Sequence, residues 1–151
     1  MQGIIVSDTS SLILLNKINR LGIIKSLFGK IYITPTIEKE LNIDLPDFIK
    51  IQSPKNQTSQ KILELHLDPG EASVITLAIE NKESLLIIDE LKGRLEAKAL
   101  DIKITGIIGI VLLAKERGII KSVSEILDEI EQTDFRISKS IMDEAKRMAG
   151  E

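Results

Sequence analysis

The sequence predicts an α/β domain of three layers, with a central parallel sheet of four to five strands between two layers of helices. Three observations carry this. Segments such as Gly3–Ser7 (GIIVS) and Ser84–Ile88 (SLLII) are continuous apolar runs, the pattern of strands buried on both faces. Helical segments alternate with these runs, as parallel neighbours require. The length of 151 residues suits one domain, and no repeat, linker or low-complexity stretch divides it.

The elements follow in order. Gly3–Ser7 is the first strand and ends at Asp8. From Ser10, the spacing of Leu12, Leu15 and Ile18 marks a helix, and a second short helix runs from Leu21 to Phe28, closed by Gly29. Ile31–Thr34 reads as a strand, and Pro35 suits the first position of a helix over Pro35–Asn42. Ile43–Thr58, with Pro46, Pro54, Asn56 and Gln57, is the least regular stretch; a brief strand fits at Phe48–Gln52, followed by a helix through Ser59–Leu67. Asp68-Pro69-Gly70-Glu71 opens the best-marked helix, with Asp68 as N-cap, Pro69 as first helical residue and Ala72, Ile75, Ala78 and Ile79 as its apolar face. After Ser84–Ile88 come a helix through Arg94–Leu100, a strand at Lys103–Thr105 and a long apolar helix to Arg117, with Gly118 behind it. Ser122–Gln132 and Ser138–Ala149 are amphipathic helices, an appended part (122–149) of a single 1–151 domain.

Composition narrows the chemistry. The absence of cysteine excludes disulfides, thiolate metal sites and cysteine nucleophiles. The single histidine, His66, has no second imidazole to work with and reads as structural, on a helix. Four aromatic residues, Phe28, Tyr32, Phe48 and Phe135, are too few for a platform that stacks a run of bases. A net charge of −3 argues against a broad nonspecific nucleic-acid footprint but allows a local patch. The longest uncharged apolar run, Ile104–Ala114, is too short to span a membrane, and the N-terminus lacks a basic leader, so the expected address is the cytoplasm. The 23 acidic residues remain as the chemical tools.

In open parallel sheets, ligands bind at the carboxyl ends of the strands. Asp8 and Asp89 each follow an apolar run directly, although each also reads as the cap of the helix behind it. Glu71 lies on the edge of a buried helical stripe with Ile75 and Ala78, and equally completes an Asp68-x-x-Glu71 capping box. Glu40 leans towards the apolar face of its short helix beside Ile37 and Leu41, or pairs with a nearby lysine. Four acids gathered at one edge would repel unless a cation neutralised them, and oxygen-only ligands suit Mg²⁺ or Mn²⁺.

These residues together resemble a known family. Asp8-Thr9-Ser10 after the first strand, Glu40 within Pro35-Thr-Ile-Glu-Lys-Glu-Leu41, and Gly70-Glu71-Ala72 opening a helix are similar to the PIN domain. Leu85–Asp89 with Lys92-Gly93-Arg94, then Thr105-Gly106-Ile-Ile-Gly109 and Ala114-Lys-Glu-Arg-Gly118, resemble a branch of small stand-alone prokaryotic PIN proteins described as nucleic-acid-binding. The resemblance implies a Mg²⁺- or Mn²⁺-dependent endoribonuclease of VapC-like type, with Asp8, Glu40, Glu71 and Asp89 as catalytic and metal-binding acids. Thr9 or Ser10 would hold a water on the metal or a substrate phosphate, with Glu90, Lys92, Arg94 and Thr105 in support. Relatives usually carry an Asp pair where this chain has Asp89-Glu90, so either acid fits the fourth place. The implied partners are an RNA substrate, a small antitoxin and a second copy of the chain.

Lys92, Arg94 and Lys98 follow Asp89, and Arg94 and Lys98 share a helical face; they suit phosphate contacts or a solvated face paired to Glu90 and Glu96. Lys115, Arg117 and Lys121 read as the cationic end of a helix. The competing function is a non-catalytic nucleic-acid-binding or regulatory PIN module. Phosphoryl transfer of the haloacid-dehalogenase or receiver type is disfavoured. The first needs a second Asp two residues after Asp8, and the second needs an adjacent acidic pair there.

Overall fold

Each expected strand forms, as a short one, and all the strands pair in parallel. The computed structural model describes residues 3–151, so residues 1 and 2 of the expected 1–151 domain lie outside the described residues. Strands β1 (Ile5–Ser7), β2 (Ile31–Ile33), β3 (Ile49–Ile51), β4 (Leu85–Ile87) and β5 (Lys103–Thr105) form one sheet in the order β3-β2-β1-β4-β5. Val6 lies opposite Tyr32 on one side and Leu86 on the other. Val6, Leu86 and Ile87 are fully buried, as strands covered on both faces must be.

The chain starts at the sheet centre, runs out to β3, crosses back and continues through β4 to β5. Helices α1 (Thr9–Lys17) and α2 (Gly22–Phe28) link β1 to β2, and α3 (Pro35–Glu40) leads towards β3. The long crossover to β4 carries α4 (Gln57–Leu63) and α5 (Pro69–Glu80); α6 (Leu91–Ala99) links β4 to β5. Beyond β5 come α7 (Ile107–Glu116), α8 (Val123–Glu131) and α9 (Lys139–Met148).

Helix α5 lies against β1 and β4 with α3, α4 and α6 packed around it, while α7 packs with α2, α8 and α9. Residues Ala72 to Ala78 are accordingly buried all round α5, a helix enclosed rather than merely amphipathic. No helix among the described residues is long and apolar enough to cross a membrane.

Several boundaries differ from the sequence reading. Helix α3 stops at Glu40, because Leu41 turns to extended backbone. Helix α4 begins at Gln57 and ends at Leu63, since Asn56 accepts from Ser59 N and caps it early. His66 therefore lies beyond the helix, exposed, and not on it. Helix α6 starts three residues earlier than the apolar spacing indicated, with Glu90 as its cap. Asp68, Ser122 and Ser138 cap α5, α8 and α9 as their residue types require.

Leu86 is fully buried on a central strand, so Leu86→Ala is expected to lower the unfolding free energy by about 2–5 kcal/mol. Leu91 on α6 is 67% exposed, and Leu91→Ala should change stability by no more than about 0.5 kcal/mol. Urea titration of both variants measures the contrast.

Candidate active site

Strand order fixes where a site can form. The chain leaves β1 towards one edge of the sheet and leaves β4 towards the other, so a crevice opens between their carboxyl ends. Asp8 follows β1 immediately, and its N–H donates to Ile87 O at 3.0 Å, which ties it to β4. Asp8 is only 4% exposed. Its Oδ1 accepts from Ser11 N at 3.1 Å, so it does cap α1, and its Oδ2 accepts from Ser10 Oγ and from Asp89 N, both at 3.2 Å.

A pocket of about 300 Å³ opens above this point, lined by Asp8, Glu40, Asp68, Glu71 and Glu90 with Thr9, Ser10 and Ile37. Three of the four predicted acids thus meet in it. Asp89 does not line it. Its Oδ2 accepts from Ser11 Oγ at 2.8 Å and its Oδ1 from Ile107 N at 3.2 Å, so it clasps α1 to the first turn of α7. It does not cap its own helix, a task that falls to Glu90. The wall positions left by Asp89 belong to Glu90 and to Asp68. From the sequence Asp68 reads only as a cap; its place three residues before Glu71, on the same helical turn, is the signal that it also faces the pocket.

Glu40, expected on an inward edge, is exposed at the end of α3 and accepts from Thr9 Oγ1 at 2.5 Å. No lysine pairs with it among the described residues; that alternative gives way to the threonine. Asp68 Oδ1 accepts from Glu71 N at 2.8 Å, which is one half of a capping box.

Three of these acids rest on glycines in the first turns of neighbouring helices. A Cβ at Gly70 would lie 2.5 Å from Glu40 Oε1, one at Gly93 would lie 3.2 Å from Glu71 Oε2, and one at Gly106 would lie 2.5 Å from Asp89 Oδ1. Without side chains, these first turns leave backbone N–H groups and the positive ends of α5, α6 and α7 facing carboxylates.

Two buried hydroxyls fix α3 against α5. Ser73 Oγ donates to Gly70 O at 2.7 Å and lies 2.6 Å from Thr34 Oγ1, which itself accepts from Ile37 N at 3.2 Å. Ser73 has used its one proton, so Thr34 must donate to Ser73. The chain of bonds links the helix that bears Glu40 to the turn on which Glu40 rests.

The acids crowd one another. Burial pushes the Asp8 carboxyl up to about 6, aided by the charge of Asp89 and opposed by hydrogen bonds from Ser11 and from Asp89 N. Burial likewise raises Glu71 to about 7, with the charges of Asp68 and Glu90 adding to it. The ion pairs among the described residues involve none of the pocket acids.

The donor set, all carboxylate and hydroxyl oxygen, fits a hard divalent ion such as Mg²⁺ or Mn²⁺. As the side chains stand, no group of three or more acids among the described residues encloses an ion position. Glu40, Asp68 and Glu90 are exposed, and each is held by a hydrogen bond, from Thr9 Oγ1, Glu71 N and Lys92 N respectively.

The supporting residues divide. Thr9 and Ser10 line the pocket, each donating to an acid. Arg94 turns back, its Nη1 donating to Ile88 O at 2.8 Å, so it braces the end of β4 and does not line the pocket. Lys92 is exposed, and Thr105 sits under Gly109 away from the pocket. Arg117 donates to Leu27 O and Lys115 to Lys121 O, which are structural duties.

Two outcomes follow from this geometry. The folded pKa values of Asp8 and Glu71 lie above their ordinary values, so ionising them costs the folded state, and stability rises as pH falls. In EDTA the melting temperature should climb from pH 8 to about pH 5, and Asp8→Asn should flatten the part of the climb below about pH 6. Gly70→Ala should keep or raise the melting temperature, because alanine favours the helix by up to about 1 kcal/mol. The same change should displace Glu40 from Thr9 and lower any metal affinity, read by calorimetry with Mn²⁺.

A family model described as PIN domain matches residues 4–151. Comparison with curated proteins and with solved structures returns no significant match. With a match over nearly its whole length, a five-stranded parallel sheet and acids at the carboxyl ends of β1 and β4, the chain belongs to the PIN-domain family, whose fold is of nuclease type.

Proposed function

We propose that this protein is a Mg²⁺- or Mn²⁺-dependent endoribonuclease that hydrolyses RNA phosphodiester bonds at the pocket between β1 and β4. The observation that carries the reading is the charge imbalance there: five carboxylates line one pocket, and none is in an ion pair with a lysine or arginine among the described residues. A cation relieves that repulsion, and PIN domains typically use divalent metals.

Asp8, Glu40 and Glu71 would hold the metal, with Glu90 or Asp68 in the fourth place and Asp89 holding Asp8 and α7 in position. A bound ion supplies activation of water and stabilisation of the charge that develops on the phosphate. Thr9 and Ser10 keep Glu40 and Asp8 turned into the pocket, and Lys92, exposed two residues after Glu90, would meet an anionic strand. The N-termini of α1, α5 and α6 add a field that favours phosphate. An antitoxin that covers the pocket and a homodimer belong to the same proposal, with the cytoplasm as the setting.

The second reading is a module that binds nucleic acid without cutting, favoured by the spread of the pocket acids, no three of which among the described residues are placed to hold one ion. Cleavage of a mixed structured and single-stranded RNA pool, with Mn²⁺, Mg²⁺ or EDTA, separates the two. The nuclease reading expects cutting that EDTA abolishes and Asp8→Asn reduces by at least about 100-fold. RNA binding without cutting, unchanged by Asp8→Asn, would establish the module.

A further inference from the structure

A second groove begins where the acidic pocket ends. It holds about 230 Å³ and is lined by Ser10, Ile13, Leu14, Lys17, Asp134 and Phe135. Ser10 lines both spaces, so the two adjoin at that residue. The helix residues fall at i, i+3, i+4 and i+7, one stripe of α1 about 10 Å long that leads away from the acids.

Phe135 forms the far wall, on the loop between α8 and α9, and several bonds hold it there. Its N–H donates to Thr133 Oγ1 at 3.1 Å, and Thr133 Oγ1 donates to Ile130 O at 2.6 Å. Next to it, Asp134 Oδ1 accepts from Lys17 Nζ at 2.8 Å, which ties the loop to α1. The ring is half-buried, with one part against the core and the rest open to the groove.

The chemistry of these walls selects the occupant. The one cation, Lys17, is neutralised by Asp134, so no net positive charge remains to hold a phosphate. The middle is apolar, from Ile13, Leu14 and Phe135, while hydroxyl, ammonium and carboxylate groups stand at the two ends. Apolar faces with polar edges describe a nucleobase, and an aromatic wall suits stacking.

We propose that this groove is a subsite for one nucleobase, that of the nucleotide adjoining the phosphate held at the acidic pocket. The proposal rests on the nucleic-acid reading above and adds to it a residue, Phe135, that sets how the strand lies. One ring serves one base, which agrees with a chain too poor in aromatics for a longer platform.

The test is a methyl NMR titration of the full chain with AMP and UMP, with ribose 5-phosphate as the probe that lacks a base. A capped leucine dipeptide reports on aliphatic peptide side chains. The nucleotides should shift the Ile13 methyl and the Phe135 ring, and ribose 5-phosphate should leave both in place. Phe135→Ala should weaken nucleotide binding about tenfold, and Phe135→Trp should restore it. Shifts of equal size from ribose 5-phosphate, shifts that survive in a folded Phe135→Ala variant, or shifts from the leucine dipeptide alone would each overturn the subsite. RNA cutting with no base-dependent shift removes the subsite and leaves the ribonuclease. Base-dependent shifts with no cutting under any metal remove the ribonuclease and leave the subsite.

Discussion

The carboxyl edge of the sheet is organised around one buried carboxylate. Asp8 takes an N–H from α1 through Ser11 and another from the end of β4 through Asp89, so a single side chain joins the first strand, the first helix and the fourth strand. Burial makes its charge unfavourable, and hydrogen bonds recover only part of that cost, which leaves its carboxyl at about 6. Parallel topology supplies the setting. Helices α1, α6 and α7 each begin just after a strand ends, and α5 opens at the pocket with Asp68 and Glu71, so the positive ends of these four helices lie at this edge. Acids from three other elements settle on the bare first turns of these helices, at Gly70, Gly93 and Gly106.

Most of the fold was legible because its signals are local. Continuous apolar runs gave the strands, and Asp68, Ser122 and Ser138 stand at helix starts where their side chains accept from backbone N–H groups. Where the reading slipped, the deciding contact was remote or contrary to hydrophobic spacing. The stretch before α4 is held by Glu80, whose carboxylate accepts from Lys55 N and Asn56 N across the crossover. Helix α6 opens with Leu91, an apolar residue that faces solvent, so periodicity could not reveal its true first turn.

The site was legible in part for a related reason. Asp8 could be placed from a strand end and Glu71 from a helix face, whereas Glu40 stands exposed where its helix face pointed inwards and joined the set through the family resemblance. Whether Asp89 or Glu90 faces the pocket depends on which one the N-terminus of α7 engages, a partner 18 positions from Asp89. Arg94 has the spacing of a phosphate contact, yet the carbonyl of Ile88 lies within its reach and satisfies it first. Asp68 was hidden by its good fit to a commonplace duty: a cap can also be a wall.

The sheet order has a consequence for how the protein comes into being. Asp8 and Asp89 lie 81 positions apart, and they meet only through the pairing of β1 with β4. Closing so long a loop yields no contacts until the ends arrive, which makes such pairing slow relative to the local helices. A growing chain on the ribosome therefore exposes Asp8, Glu40 and Glu71 in turn without assembling them. The pocket appears only after residue 89 has emerged and the central strands have joined, so its carboxylates stay dispersed until more than half of the chain has been made.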